Sequence, residues 1–341
     1  MNLEQPMGAT SQRVYPQASW FARLKFWLFA QFLQKIVELR LYMRKLPASQ
    51  SPSFTKLYPG VGADLPVRVF LPPDYKAGGK LPPLWIDIHG GGFTLCNPSI
   101  CDVDNAILSR KHGFCVVSIP YRKAPGYPFP TPTYDCAALI KAVLDDEDNI
   151  PADRTRVVLG GYSAGGNLSL SAAQLDGLHD RINAIVAYYP VVDYDKTLEE
   201  KLEGSKLAPG KKRDLLADLG PMFNWAYMNY GQDRRDPLLS PAYAARSKLP
   251  KNLCIVGCEY DLLCGEARRM AEDLAKSEKG EKVKDNLGWT KGNLKWMHME
   301  KVEHGFNQMV TKDPEQIKHN RDTTEQMHQG AADWLYSHVF A

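Results

Sequence analysis

The 341-residue sequence is short of the features that mark several large classes of protein. It has no excess of charge of either sign. Lys and Arg number 42 against 39 Asp and Glu, a net charge of +3, and no dense basic stripe occurs, so nucleic acid is not an expected partner. Long apolar runs are also missing. Trp20–Leu46 is the segment closest to one, but its longest uncharged stretch, between Lys25 and Lys35, is nine residues, against the roughly 20 that a spanning helix needs. No transmembrane segment is expected. The first 18 residues lack a basic stretch leading into an apolar core, so no secretory signal is expected either. The seven cysteines (96, 101, 115, 136, 254, 258 and 264) are odd in number and irregular in spacing. Cys254 and Cys258 have a CxxxC spacing, yet no second pair and no nearby His pair completes a zinc site. Reduced, buried thiols in a cytoplasmic location are the expectation, with no metal and no cofactor. Internal repeats and low-complexity tracts are absent.

What is present is the balance of a globular chain, 44% apolar and 24% charged. Residues 1–19 are polar and read as mobile. Trp20–Leu46 reads as an amphipathic helix, packing on its own protein or touching a membrane surface peripherally. Beyond a Ser/Pro-rich loop at 47–53, short β-branched apolar runs alternate with helical patterns. The runs are Val67–Leu71, Pro83–His89, Phe114–Ile119, Arg156–Gly160, Ala184–Tyr188, Leu253–Val256 and one within Leu294–Val302. The helical patterns are Asp104–Lys111, Tyr134–Asp145, Ala164–Leu175, Gly265–Ser277 and Pro314–Tyr336. Runs buried on both faces and separated by helices predict an α/β architecture: a mostly parallel twisted sheet of about eight strands flanked by helices. Residues 193–235 are too long for one crossover and predict a helical cap inserted above the sheet, roofing a site together with the Trp20–Leu46 helix. The expected division is an N-terminal arm and helix over 1–50 and a catalytic domain over 51–341 that carries this insertion. Lys279–Gly292 is polar and reads as an exposed loop.

Four stretches carry chemistry. Gly161-Tyr162-Ser163-Ala164-Gly165 fits G-x-S-x-G between a strand and a helix, where a tight turn exposes the Ser163 hydroxyl and small neighbours let the backbone pass. His89-Gly90-Gly91-Gly92 ends a strand. Its backbone N–H groups can meet the oxyanion that forms when an ester carbonyl is attacked, with Gly91, Gly92 and Ala164 as the expected donors. A serine hydroxyl needs a base at neutral pH. His304, in Glu303-His304-Gly305-Phe306 after the last strand, is the candidate. Asp261, just after the sixth strand, is the candidate acid that orients it, with Glu259 as local competitor. Asn167-Leu168-Ser169 matches a glycosylation sequon, but it follows Ser163 too closely for a glycan to fit.

Taken together, these residues resemble the hormone-sensitive-lipase-like branch of the α/β hydrolases, which includes many carboxylesterases and the arylacetamide deacetylases. The resemblance runs from about Val67 to the C-terminus. It rests on His89-Gly90-Gly91-Gly92-Phe93, Tyr121-Arg122-Lys123-Ala124-Pro125, Gly161–Asn167, Asp236-Pro237-Leu238-Leu239-Ser240-Pro241, Asp261 and His304-Gly305-Phe306. It departs from the family pattern where Lys123 stands for leucine, Gly126 for glutamate and Tyr162 for aspartate. It implies a Ser163–His304–Asp261 triad, an oxyanion hole of the Gly91, Gly92 and Ala164 amides, and a serine esterase acting on small to medium, largely apolar esters through an acyl-enzyme. Arg122, Asp135 and Ser240 match family positions and read as structural hydrogen-bonding residues. Phe93, Phe223, Trp225 and Tyr227 are candidate walls of an apolar pocket. The alternatives are a biosynthetic acyltransferase, deacetylase or cyclising enzyme on the same triad, and a ligand receptor. A homodimer through the C-terminal half is expected by family analogy.

Overall fold

The structure is a computed structural model and describes residues 14–341. The mobile lead expected over residues 1–19 lies outside the described residues as far as residue 13. From Val14 the chain is held: Tyr15 N–H donates to Gln232 O (3.0 Å), and Gly231 N–H donates to Tyr15 O (3.1 Å).

Helix α1 (Trp20–Met43) starts on Ser19, whose hydroxyl accepts from Ala22 N–H. The strands follow in the order β1 (Phe54–Lys56), β2 (Val67–Phe70), β3 (Pro83–Ile88), β4 (Cys115–Ile119), β5 (Asp153–Tyr162), β6 (Ala184–Tyr188), β7 (Asn252–Tyr260), β8 (Val283–Asp285), β9 (Gly288–Lys291) and β10 (Leu294–Glu303). Between and after them come α2 (Asp102–His112), α3 (Thr131–Asp145), α4 (Ala164–Ala172), α5 (Leu198–Glu203), α6 (Leu215–Tyr227), α7 (Cys264–Ala275) and α8 (Pro314–Trp334).

All ten strands form one sheet in the order β1-β2-β4-β3-β5-β6-β7-β10-β9-β8. Strands β4, β3, β5, β6, β7 and β10 run parallel, and antiparallel pairs close both edges. Every residue of β3, β4 and β6 is buried, as continuous apolar runs with helices on both faces require. Two separate apolar clusters fill the two faces of the sheet.

Two corrections to the sequence reading concern the edges. The polar stretch 279–292, read as a loop, contains the hairpin β8–β9, and β9 pairs with β10 from Leu294 to Met297. The hairpin therefore occupies the flank of β10 that a sheet-to-sheet dimer would use. What remains outside is β8, three exposed residues that include Lys284 and Asp285, and a short charged strand is a poor template for pairing. The other edge carries β1, too short to show a pattern. With these three added, the sheet has ten strands instead of about eight.

The insertion between β6 and β7 holds α5 and α6. Helix α5 is closed by a Thr197/Glu200 capping box and α6 by the Asp214 carboxylate on Leu216 N–H. Helix α1 lies against α6, with the Phe26 and Trp225 rings 5.9 Å apart. It is also tied to the loop after β3. The Gln34 amide donates to Thr94 O (2.9 Å) and Ala124 O (3.0 Å). Lys123 donates to Cys96 O (2.9 Å) and pairs with Glu38 on α1 (3.3 Å). The lysine that departs from the family leucine is thus a tether between α1 and this loop.

Candidate active site

Four strand ends deliver the candidate residues to one edge of the sheet. Ser163 follows β5, the glycine loop follows β3, Asp261 follows β7 and His304 follows β10. Parallel strands place their C-terminal ends side by side, so residues far apart in sequence converge there.

Ser163 occupies a strained turn, φ 55° and ψ −116°, between β5 and α4. The turn leaves no room for side chains on its glycines. A Cβ on Gly161 would lie 2.3 Å from Gly165 O, and one on Gly165 would lie 2.0 Å from Ile88 O. The Ser163 hydroxyl is 2.8 Å from His304 Nε2, and His304 Nδ1 is 2.9 Å from Asp261 Oδ2. Asp261 is fully buried, and its other oxygen accepts from Leu263 N–H (2.9 Å). Glu259 points elsewhere. It pairs with Lys206 and accepts Lys301 N–H at the bulge where β10 turns toward His304.

Gly91 (φ 114°) and Gly92 (φ 58°) lie in conformations that favour glycine, and a Cβ on Gly92 would strike the Phe223 ring at 2.5 Å. The loop is braced by Gly91 O, which accepts from Thr94 and Leu95 N–H. The N–H groups of Gly91, Gly92 and Ala164 donate to no acceptor among the described residues. His89 is a prop for the loop and no base. It is buried, stacks on Tyr121 (centroids 4.3 Å apart) and contacts Gly90 O through Nδ1 (2.8 Å). Burial pulls its pKa down to about 3, so the ring is neutral.

Several residues that support this geometry gave no sequence signal. Tyr189 (φ 38°) sets its ring edge-on to His304 (4.9 Å) and donates its hydroxyl to Asn307 Oδ1 (2.5 Å). Asn307 donates to Asp104, which also pairs with the buried His328 (3.0 Å each). The loop carrying His304 is thereby fastened to α2 and α8. Asp214, the N-cap of α6, accepts Leu262 N–H beside Asp261 (3.0 Å). Burial, and the nearby negative Asp261, raise its pKa above the ordinary carboxylate value. Glu266 is buried in α7. It accepts Val192 and Asp193 N–H and pairs with Lys201 of α5, pinning the insertion where it leaves the sheet.

Two cavity arms meet at Ser163, Gly92, Leu216 and Phe223. The smaller, of about 140 Å³, has Phe93, Val191, Tyr194, Leu262 and Leu263 in its walls, with Lys196, Lys201 and Arg234. The larger, of about 380 Å³, runs past His304 and is walled by Val37, Leu41, Leu219, Met309 and Val310. Of the four aromatics expected in the pocket, Phe93 and Phe223 line an arm. Trp225 and Tyr227 do not, which corrects the sequence reading. Trp225 turns to Phe26 of α1, and Tyr227 is core, stacked on Phe93 at 3.6 Å. Trp225, two residues after Phe223, leaves the helix on another side, whereas Tyr227, four residues on, shares its face but is buried in the core beneath Phe93. Arg122 and Asp135 form a two-pronged ion pair, and Ser240 bridges Tyr194 N–H and Arg234 O. Asn167 is fully buried, its amide donating to Val191 O and Leu239 O, so the sequon faces the interior.

A family model described as alpha/beta hydrolase fold matches residues 85–289. The chain is an α/β hydrolase of the hormone-sensitive-lipase-like branch. An arylesterase of Saccharolobus solfataricus is 30% identical over 219 residues, 63% of this chain and 68% of that protein. A versiconal hemiacetal acetate esterase of Emericella nidulans is 30% identical over 222 residues, 63% of this chain and 73% of its own. The solved structure of a Pyrobaculum calidifontis esterase, at 24% identity, shares the fold with a TM-score of 0.70, covering 93% of this chain and 99% of that one. His304 and α1 lie outside the residues that the family model matches.

Proposed function

We propose that this α/β hydrolase is a serine carboxylic ester hydrolase with Ser163 as nucleophile, His304 as base and Asp261 as orienting acid. The observation that carries the reading is the unbroken chain of contacts from Ser163 Oγ to His304 Nε2 (2.8 Å) and from His304 Nδ1 to Asp261 Oδ2 (2.9 Å). It stands beside three backbone N–H groups without acceptors among the described residues. His304 takes the hydroxyl proton as Ser163 attacks the ester carbonyl, and the buried Asp261 carboxylate holds the imidazole tautomer and stabilises the imidazolium. The Gly91, Gly92 and Ala164 amides receive the oxyanion, each worth about 10²–10³ in rate. His304 then protonates the departing alcohol, and water releases the acyl group by the same steps in reverse roles.

The two arms hold the acyl and alcohol portions, and their apolar walls suit small to medium, largely apolar esters. Helix α1 and the insertion form a cap over this site, with Phe223 and Leu216 dividing the arms. Seven unpaired cysteines suit a reducing compartment such as the cytoplasm. A homodimer would have to use a surface other than the flank of β10.

Turnover of p-nitrophenyl esters from acetate to palmitate, by the wild type and Ser163→Ala, tests the assignment. Wild-type hydrolysis of the shorter esters and its loss in the variant is the expected result. A folded wild type that turns over no ester and is not labelled by a fluorophosphonate would overturn it.

A further inference from the structure

Helix α1 is apolar on two sides. One side packs on the protein: Ala30 and Leu41 are buried, and Gln34 is bonded to the loop after β3. The other side has no partner among the described residues. Trp20, Phe21, Trp27, Phe32, Leu39 and Tyr42 are 48–89% exposed and share one arc of the helix. With their exposed apolar neighbours they present on the order of 1,000 Å² of surface, where the largest apolar patch on a typical monomer is about 300–600 Å².

The charges around this face have one sign. Arg23, Lys25, Lys35, Arg40 and Lys45 are exposed. The sole acid between residues 20 and 45 is Glu38, already held by Lys35 (3.2 Å) and Lys123 (3.3 Å).

We propose that α1 is an interfacial helix that docks this protein on an anionic phospholipid bilayer. Tryptophan and tyrosine rings settle at headgroup depth, the phenylalanine and leucine side chains enter the acyl boundary, and the lysines reach back to lipid phosphates. A second copy of the chain fits the face less well. A twofold contact would bury Lys25 and Lys35 between two copies of the same basic face, whose sole acid, Glu38, is already engaged.

The placement bears on the site. Val37, Arg40 and Leu41 on the flank of α1 line the larger arm, and Leu215, Met309 and Val310 on the same arm are themselves 40–74% exposed. Docking lays this rim against lipid, so an apolar ester dissolved in the bilayer enters the arm without crossing bulk water. This delivery step rests on the esterase reading; the docking itself does not.

The test is flotation of the full chain with vesicles of phosphatidylcholine alone, or of phosphatidylcholine with phosphatidylserine. The wild type should float with the anionic vesicles, less so as salt is raised. The Trp27→Ser/Phe32→Ser double variant should bind about tenfold more weakly or worse, and Lys25→Glu/Lys35→Glu should lose the preference for phosphatidylserine. Both variants should hydrolyse a soluble short ester at the wild-type rate, which shows them folded. Ser163→Ala should float like the wild type, so a failed esterase assignment would leave docking intact. A wild type that floats with neither vesicle, or an aromatic variant that floats as well as the wild type, would overturn the proposal. So would a dimer in sedimentation that the aromatic substitutions dissociate, since the face would then belong to a second copy.

Discussion

Replacing Asp87 with asparagine should stabilise the protein at alkaline pH and leave it unchanged at acid pH. Asp87 lies on β3, fully buried. Its Oδ2 accepts from the Ser118 hydroxyl (2.8 Å) and the Asn105 amide (3.2 Å), and the Cys101 thiol lies beside the carboxyl group. Burial is the main force that pushes its pKa from 3.8 to about 7; the Ser118 and Asn105 hydrogen bonds pull it back in part, and the charge of Asp104 adds to the rise. A raised carboxyl pKa in the folded state means that folding favours the protonated form. At low pH both states hold the proton and the group has no effect. From 3.8 upward the unfolded chain loses the proton first, and stability falls by about 1.36 kcal/mol per pH unit until the folded carboxyl ionises near 7. The full window corresponds to about 4 kcal/mol. Asparagine keeps an acceptor for Ser118 and Asn105 and carries no charge. Urea unfolding of the wild type and Asp87→Asn at about pH 4 and about pH 9 measures the difference. The two should agree at the lower pH and differ by on the order of 4 kcal/mol at the higher, with the variant more stable. An equal gap at both pH values would refute the reasoning.

Three further outcomes follow from the site. Gly92→Ala should fold but slow fluorophosphonate labelling and ester turnover by about 10²-fold or more, because its Cβ displaces Phe223 and the loop donor moves; unchanged kinetics would remove Gly92 from the oxyanion hole. Asp261→Asn should lower kcat by about 10⁴-fold with KM little changed, and a loss of less than tenfold would point to another acid. Tyr227→Ala should cost about 3–5 kcal/mol in urea unfolding with KM preserved, whereas Phe223→Ala should cost little stability and shift the ester preference toward longer chains. The reverse pattern would return Tyr227 to the pocket.

How far the site could be read in advance depended on how local its signals are. Ser163 is announced by its neighbours, because a strand-to-helix turn of that tightness admits only small residues at 161 and 165. His304 and Asp261 were found by order along the chain and by strand context. Glu259, two residues away and of the same chemistry, stays a competitor in the sequence; on β7 it faces Lys206 and the Lys301 N–H of the β10 bulge, and not His304. Trp225 and Tyr227 show the limit. An aromatic on a cap helix can face the cavity, the core or a neighbouring helix, and only the rotation of α6 against α1 and Phe93 decides which.

The sequence by itself determined the alternation of strands and helices, the parallel core of the sheet and the order of the reactive groups. Each is written in short-range patterns: β-branched runs, glycines at a turn, a histidine after the last strand. Tertiary structure alone decided the rest. In the hairpin β8–β9 the first strand is exposed and the second buries only Trp289, so it carries no alternation to read, and its pairing depends on the free flank of β10. Asp214, Tyr189, Asn307 and Glu266 act through partners distant in the chain, which no local pattern encodes. In sequence, helix α1 reads as an amphipathic helix that packs on its own protein or touches a membrane surface, and only its packing against α6 shows which apolar side the fold uses and which it leaves to the outside.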